Sequence, residues 1–174
     1  MNYKLLALGG DGIGPEVLES GLSILEAISK KNNLNFEISF DLIGGACWDK
    51  YGTFCRNSTI EKAIESDAIL VGAVGGPKWD AMKIKGDPEE QDGLMCLRKK
   101  LGAFFGIRPA KNYKSLQNII PFNKEYVQNS EIIILREMCG GVMFSKPRGL
   151  KFLENYKRYG FDTAGYNEFE IRKF

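Results

Sequence analysis

The sequence predicts an α/β fold: a mostly parallel sheet with flanking helices, plus an extended arm region. Three observations lead to this prediction. Short apolar segments of strand length recur along the chain, and segments with apolar residues at helical spacing lie between them. The stretch at residues 141–166 is instead rich in glycine and aromatic residues, which is typical of extended arms.

The first strand, helix and second strand follow from residues 3–42. Residues 3–8 form a short apolar run, which predicts a strand. Pro15 then opens a helix with apolar residues at helical spacing, namely Val17, Leu18, Leu22, Leu25 and Ile28. In residues 36–42 apolar side chains alternate with polar ones, which predicts a second strand.

The next elements repeat the alternation. Asn57 or Ser58 can cap a helix that runs to about Ser66, and residues 68–74 have the composition of a buried strand. Residues 93–102 read as a helix. Because strands and helices alternate, the sheet is predicted to be parallel.

Two further strands are predicted at residues 104–111 and at the apolar residues 132–135. We expect the second of these strands to be buried. Near the end, Asn167 can cap a helix with Glu170 three residues later, an approximate capping box. The sequence stops about two turns into that helix, so we expect it to be a truncated part of a longer chain.

Composition narrows the classes of function. The chain carries 24 basic and 22 acidic residues, a formal charge of +2, and its longest basic run is Arg98-Lys99-Lys100. Neither nucleic-acid nor membrane-surface binding is therefore predicted. No stretch is long and apolar enough to span a bilayer, and the first residues do not read as a signal peptide. The predicted compartment is the cytoplasm.

Cysteine and histidine content limits the chemistry. The four cysteines lack both the close pairs of a zinc site and the density of a secreted disulfide framework: Cys47, Cys55, Cys96 and Cys139. We expect reduced thiols, mostly buried. The chain has no histidine, so proton transfer must use carboxylate, lysine or tyrosine.

Three arginines among apolar neighbours predict a pocket for a small dianion. Arg98, Arg108 and Arg136 can each bind a carboxylate through two parallel hydrogen bonds. Leu94 and Met95 would supply an apolar wall beside Arg98. Taken singly, each arginine is equally typical of a surface residue that makes weak ion pairs, and Leu94 and Met95 of core packing.

Two glycine-rich segments are candidate ligand loops. Residues 9–14 do not fit a dinucleotide fingerprint, because Pro15 occupies the third glycine position and Asp11 places a negative charge where pyrophosphate would sit. A tight turn is the alternative. Residues 75–80 would let the backbone approach a ligand closely, although by themselves they are more typical of a flexible surface loop.

These motifs occur in one order that resembles the isocitrate/isopropylmalate dehydrogenase family, and most closely its 3-isopropylmalate dehydrogenases. The segments that carry the resemblance are Gly10-Asp11-Gly12-Ile13-Gly14-Pro15-Glu16-Val17, Val74-Gly75-Gly76-Pro77-Lys78-Trp79-Asp80, the arginine segments, Arg136-Glu137-Met138-Cys139-Gly140-Gly141 and Lys146-Pro147-Arg148-Gly149. The resemblance runs from Lys4 to the last residue. Family chains are much longer, so it implies an N-terminal portion of an isopropylmalate dehydrogenase-like fold.

The resemblance implies NAD as cofactor, Mg2+ or Mn2+ as metal and a small dicarboxylate as substrate. The family's general-base lysine, its metal-binding aspartates and its adenosine loops would lie outside this chain, so no metal ligand is assigned. Implied cofactor-binding residues are Gly12, Ile13, Gly14, Gly75, Gly76, Pro77, Lys78 and Glu90, with Gln91 the rival to Glu90. Met143 occupies the position of the family's catalytic tyrosine, and a thioether cannot act as a general acid.

The resemblance also implies an organisation and a function. Residues 1–100 would begin the NAD-side domain and residues 101–174 the substrate and dimerisation domain, with a homodimer formed through the arm. Leu94 and Met95 favour isopropylmalate over isocitrate or tartrate. We expect NAD-dependent oxidative decarboxylation for the intact enzyme and inactivity for this chain alone. The alternatives are a non-catalytic or split-subunit component needing a separate C-terminal part, or a fragment of an isocitrate- or tartrate-type relative.

Overall fold

A computed structural model describes residues 2–82, 90, 92–116, 118–119, 121–127, 130–138, 140–141, 145, 147, 149–152, 158–161, 164–165 and 172. The chain divides into two compact units, unit 1 (Met1–Gly102) and unit 2 (Ala103–Phe174). The predicted roles of the two regions, cofactor side and substrate side, remain predictions.

Unit 1 is built on a three-stranded parallel sheet, as predicted. Its strands are β1 (Asn2–Gly10), β2 (Asn35–Asp41) and β3 (Ala68–Ala73), in the order β2-β1-β3. Leu5 of the central strand pairs with Ile38 on one side and Ala68 on the other. Parallel neighbours need crossover connections, and helices supply them.

The helices of unit 1 begin with α1 (Gly14–Asn32), which has Pro15 in its first turn and ends at Asn33 in the left-handed conformation. It is followed by α2 (Gly45–Tyr51), α3 (Asn57–Ile64), α4 (Pro77–Asp80) and α5 (Gly93–Leu101). None of the helices in the described part of the chain is long and apolar enough to cross a membrane.

One detail of the predicted helices was wrong. The N-cap of α3 is Arg56, without a side-chain cap hydrogen bond, and Asn57 is already helical. In α1, Leu18 is buried, while Val17 and Ile28 are 53% and 44% exposed. A helix packs only one face on a sheet, so apolar side chains at the margins of that face stay in solvent.

The core of unit 1 lies between the sheet, α3 and α5. Its buried members are Leu6, Leu8, Ile43, Cys55, Ile60, Ala63 and Leu97. Cys47, Cys55 and Cys96 form no disulfide with one another, and the first two are buried, as predicted; Cys139 lies outside the described residues. Burial, with Cys96 and Cys47 nearby, raises the pKa of the Cys55 thiol to about 12. This thiol is therefore unreactive at neutral pH.

The described part of unit 2 contains two antiparallel strand pairs. The strands β4 (Phe105–Lys111) and β5 (Glu131–Glu137) form one, with a short 3-10 helix (Lys114–Leu116) and α6 (Lys124–Val127) between them. The strands β6 (Gly149–Phe152) and β7 (Arg158–Phe161) form the other, inside the predicted arm region. The helix predicted at Asn167 falls outside the described residues.

The predicted burial of residues 132–135 was wrong. Ile132, Ile133, Ile134 and Leu135 are each 52–60% exposed on β5. A two-stranded ribbon has two faces and no further strand beside it, so apolar side chains on both faces remain open unless other elements cover them. In the described part of unit 2, no element covers these side chains fully.

Asp41 provides a test of stability against pH. Its side chain is 4% exposed. Burial favours the protonated acid, but hydrogen bonds from Lys62, the Leu42 amide and Arg56 outweigh burial and hold its pKa below the usual value of 3.8. The unfolded state therefore takes up its proton first as pH falls, and the stabilisation present above about pH 4 is lost on acidification.

We expect the difference in unfolding free energy between the native protein and Asp41→Asn to be largest near neutral pH. It should shrink as pH falls from about 5 to 3. Urea unfolding at several pH values measures it. A difference that stays constant across this range would show that Asp41 does not carry the acid dependence.

Candidate functional site

The loop after β1 contains the first predicted cofactor residues. It is a tight turn in which Gly10 and Gly12 have φ angles of 74° and 54°, and the Gly14 N–H donates to the Asp11 carbonyl at 2.8 Å. Gly12 and Ile13 are exposed, whereas Gly14 is buried at the start of α1. The turn is therefore present, and its role as a cofactor loop remains a prediction.

Asp11 lies at the carboxyl ends of β1, β2 and β3, among the loops that follow them (the strand-end loops). Only 4% of its surface is exposed. Its Oδ2 accepts the N–H of Gly45 at 2.8 Å and that of Gly75 at 2.9 Å, and its Oδ1 accepts the N–H of Ala46 at 2.6 Å. The Asp11 N–H donates to the Ala73 carbonyl at 2.6 Å. One carboxylate thus connects the loop after β1, the first turn of α2 and the loop after β3.

This role of Asp11 was not predicted from the sequence. There the residue was interpreted as a charge that disfavours pyrophosphate, whereas in the structure its carboxylate faces inward onto backbone amides. The available signal was an acidic residue directly after a buried apolar strand, a position at which a charge must find hydrogen-bond partners.

The segment after β3 contains four predicted cofactor residues: Gly75 and Gly76 in the loop, and Pro77 and Lys78 in the first turn of α4. Most of this segment is exposed, and it is hydrogen-bonded to α2. Lys78 Nζ lies 2.6 Å from Asp49 Oδ2, and Trp79 Nε1 donates to Asp49 Oδ1 at 3.2 Å. A Cβ on Gly45 would overlap the Trp79 indole. The segment is therefore exposed, as expected for a surface loop. Its contacts with α2 were not part of that expectation.

A cleft of about 240 Å³ opens beside these loops within unit 1. Its lining includes Gly44, Gly45, Gly75, Phe54, Trp79 and Gly93. The cleft lies at the carboxyl ends of parallel strands, where ligands of open α/β sheets bind. Its size suits a single ring and is smaller than the roughly 300–1,000 Å³ typical of a complete small-molecule pocket.

The helix α5 carries Leu94, Met95 and Arg98, all half-buried. Asp92 caps the helix, since its Oδ1 accepts the N–H of Leu94 at 2.8 Å and that of Met95 at 3.2 Å. Leu97 is 2% exposed and holds the helix against the core. Leu94 and Arg98 are one turn apart, so an apolar and a cationic side chain adjoin on one helix.

Arg108 and Arg136 lie on one face of the β4–β5 pair. Arg108 pairs with Ile134 and Gly106 with Arg136, so the two arginines occupy diagonal positions, which are roughly 7 to 8 Å apart in antiparallel sheets. The other residues of this face are Gly106, Ala110, Ile132 and Ile134. Both acidic residues of the pair, Glu131 and Glu137, belong to the opposite face.

The structure therefore brings together two of the three predicted arginines. Arg98 belongs to unit 1 and the other two to unit 2, so a pocket shared by all three remains a prediction. Glu90 is exposed. Gln91 and Met143 lie outside the described residues. Within the described residues, no group of three or more cysteine or acidic side chains could hold a metal ion.

Comparison with known proteins gives consistent matches. The family model for isocitrate/isopropylmalate dehydrogenase matches residues 4–174. A 3-isopropylmalate dehydrogenase of Pseudomonas fluorescens is 44% identical over 173 residues, which cover 99% of this chain and 48% of that protein. The 3-isopropylmalate dehydrogenase of Xanthomonas euvesicatoria pv. vesicatoria is 42% identical with the same coverage. This chain spans about half the length of these curated relatives.

A solved structure shows the same fold. The isocitrate dehydrogenase of Methylococcus capsulatus matches with a TM-score of 0.72 at 17% identity, covering 98% of this chain and 44% of that one. At this identity the likeness concerns the fold alone. It agrees with the predicted α/β architecture.

Proposed function

We propose, because this chain belongs to the isocitrate/isopropylmalate dehydrogenase family, that it forms the part of a 3-isopropylmalate dehydrogenase that binds substrate carboxylates and the nicotinamide half of NAD. The reaction is the NAD-dependent oxidative decarboxylation of (2R,3S)-3-isopropylmalate in leucine biosynthesis. Since the chain spans about half the length of its relatives, the reaction is proposed for the complete protein that contains it. We extend the proposal to a homodimer formed through the region of β6 and β7.

The observation that carries the proposal is the face shared by Arg108 and Arg136. Like charges on neighbouring positions of a sheet repel each other, and the strands place no carboxylate on that face. Among the salt bridges of the described residues, none includes either arginine. A bound dicarboxylate would neutralise both guanidinium groups through charge-assisted hydrogen bonds.

The choice of isopropylmalate within the family rests on α5. Leu94 and Met95 are half-buried beside Arg98, so the helix offers an apolar surface next to a cation. A branched alkyl group is compatible with that surface. An additional carboxylate would lose its hydration there without gaining a partner from either side chain.

The strand-end loops of unit 1 fit the nicotinamide half of NAD, which accepts the hydride when bound. The support comes from the cleft lined by Gly44, Gly75 and Trp79, whose volume of about 240 Å³ suits one ring. Gly12, Ile13 and the residues from Gly75 to Lys78 would border the cofactor. The loops exclude water on one side of that ring and fix its orientation.

Among the described residues, no cluster of three or more cysteine or acidic side chains could bind the divalent metal of the family. We therefore assign no metal ligand in this chain and derive no step through the metal. Met143, which stands at the position of the family's tyrosine, cannot donate a proton, so no residue of this chain is proposed as the general acid.

Arg108 provides the direct test of substrate binding. The protein to use is a chimera in which residues 1–174 replace the matched stretch of the Pseudomonas fluorescens relative. In it, Arg108→Ala should weaken 3-isopropylmalate binding by about 1.5 to 3 kcal/mol for each charge-assisted hydrogen bond lost, or roughly 10- to 150-fold. Isothermal titration calorimetry measures the affinity.

Lys111→Ala is the matched control, because it removes one positive charge from the opposite face of the same strand. It should leave the affinity nearly unchanged. Equal effects of the two variants would show that only net charge matters, and no effect of Arg108→Ala would remove this arginine from the site.

A further inference from the structure

A buried carboxylate at the carboxyl end of the sheet accepts hydrogen bonds from three backbone amides. Asp11 is 4% exposed, and its donors are two N–H groups in the first turn of α2 and one in the loop after β3. Among the salt bridges of the described residues, none includes Asp11. Burying a charge is costly unless it is fully hydrogen-bonded, so this arrangement depends on all three donors remaining in place.

The donors belong to segments far apart in the chain. Gly45 and Ala46 lie 34 and 35 residues from Asp11, and Gly75 lies 64 residues away. A Cβ at Gly44 would overlap Asp11 Oδ2, so the backbone between β2 and α2 approaches the carboxylate as closely as glycine permits. The start of α2 and the loop after β3 are consequently held against one side chain of the loop after β1.

The same loops form the walls of the cleft. Gly44, Gly45 and Gly75 line it. The Trp79 indole, from the segment after β3, packs against Gly45. A change in the separation of the two loops would move Trp79 relative to Gly45 and change the width of the cleft. Asp11 touches both walls without itself lining the cleft.

We propose that Asp11 is a positioning residue: its carboxylate sets the separation between the start of α2 and the loop after β3 and thereby the shape of the nicotinamide cleft. The inference rests on the proposed function, because it assigns the cleft to the nicotinamide half of NAD. Asp11 acts through backbone amides and contacts no reacting atom. Its contribution is therefore to cofactor affinity and loop order.

Asp11→Asn is the informative variant because it conserves volume and removes only the charge and one acceptor. All three partners are N–H donors. The NH2 group of asparagine is also a donor, so at least one of the three backbone N–H groups loses its acceptor. Asp67→Asn is the matched control. Asp67 is an exposed carboxylate that accepts a single backbone N–H, from Lys4 at 2.8 Å, and the asparagine oxygen can keep that bond.

Residue-resolved hydrogen exchange on the 174-residue chain is the first measurement. In Asp11→Asn the amides of Gly45, Ala46 and Gly75 should exchange at least about tenfold faster, while amides paired between β1 and β2 keep their native rates. In Asp67→Asn the three loop amides should be unchanged. Unchanged exchange rates of the three amides in Asp11→Asn, or an equal increase in exchange rate throughout unit 1, would overturn the proposal.

Titration of the chimera with NAD is the second measurement. Asp11→Asn should raise the dissociation constant about tenfold or more, the loss expected when one hydrogen-bonded loop contact is removed. If the three amides exchange faster but the NAD affinity is unchanged, the positioning role is wrong. The proposed function would not be affected by that result. If the unmodified chimera binds substrate but no NAD, the cofactor assignment fails and the inference fails with it.

Should Asp11→Asn not fold, as judged by circular dichroism, Asp11→Ser is the second variant. Its hydroxyl keeps one acceptor oxygen and adds no volume, and the same two measurements apply with the same expected directions. Native loop exchange and native NAD affinity in Asp11→Ser would overturn the proposal.

Discussion

Replacing Met143 with tyrosine in the chimera with the Pseudomonas fluorescens relative is expected to raise kcat by roughly 10² to 10⁴-fold, the usual contribution of a positioned general acid. The thioether of methionine can neither donate a proton nor accept one usefully. A phenol at the family's tyrosine position restores a group that can donate one. The rate of NADH formation with 3-isopropylmalate and magnesium present measures the effect.

Phe144→Tyr is the control for this experiment. It introduces the same phenol one residue further along, where no catalytic role is proposed, and should leave kcat unchanged. If Met143→Tyr and the unmodified chimera turn over at the same rate, position 143 is not the position of the acid. A gain of similar size from Phe144→Tyr would also contradict the assignment.

Truncating Ile43 to alanine is expected to lower the unfolding free energy of unit 1 by about 2 to 5 kcal/mol. Ile43 is fully buried in the cluster that joins the sheet to α3 and α5, with Leu6, Leu8 and Leu97 among its members. The substitution removes three carbon atoms from a packed site and leaves a cavity that the surrounding elements fill only in part.

Ile24→Ala makes the same chemical change at a position that is 63% exposed on α1. It should change the unfolding free energy by no more than about 0.5 kcal/mol. Urea titration followed by tryptophan fluorescence is suited to the comparison, because Trp48 and Trp79 both belong to unit 1. Equal losses for the two isoleucines would mean that Ile43 is not part of a packed core.

Most elements of unit 1 were predictable because their signals are local, although α2 and α4 were not predicted. Residues 3–8 were predicted as a strand and lie inside β1. Pro15 marks the first turn of α1, and Gly102 ends α5 in the left-handed conformation that glycine tolerates. Each of these positions depends on the backbone preferences of a few neighbouring residues. The local sequence is therefore sufficient to predict it.

Exposure was less predictable. Residues 132–135 have the composition of a buried strand, yet they lie on a two-stranded ribbon whose faces are open. Composition records that these side chains favour burial, but whether another element covers them depends on the packing of segments elsewhere.

The sequence by itself determined the α/β class, the family and the elements with local signals, because these follow from local spacing and from motifs in a fixed order. It also indicated Arg108 and Arg136 as candidate carboxylate-binding residues. Only the tertiary structure decided that these two share a face free of acidic residues and that Asp11 faces inward onto amides of α2 and of the loop after β3. The amides bound by Asp11 lie 34, 35 and 64 residues away, so their meeting depends on strand order and loop closure, which local spacing does not encode.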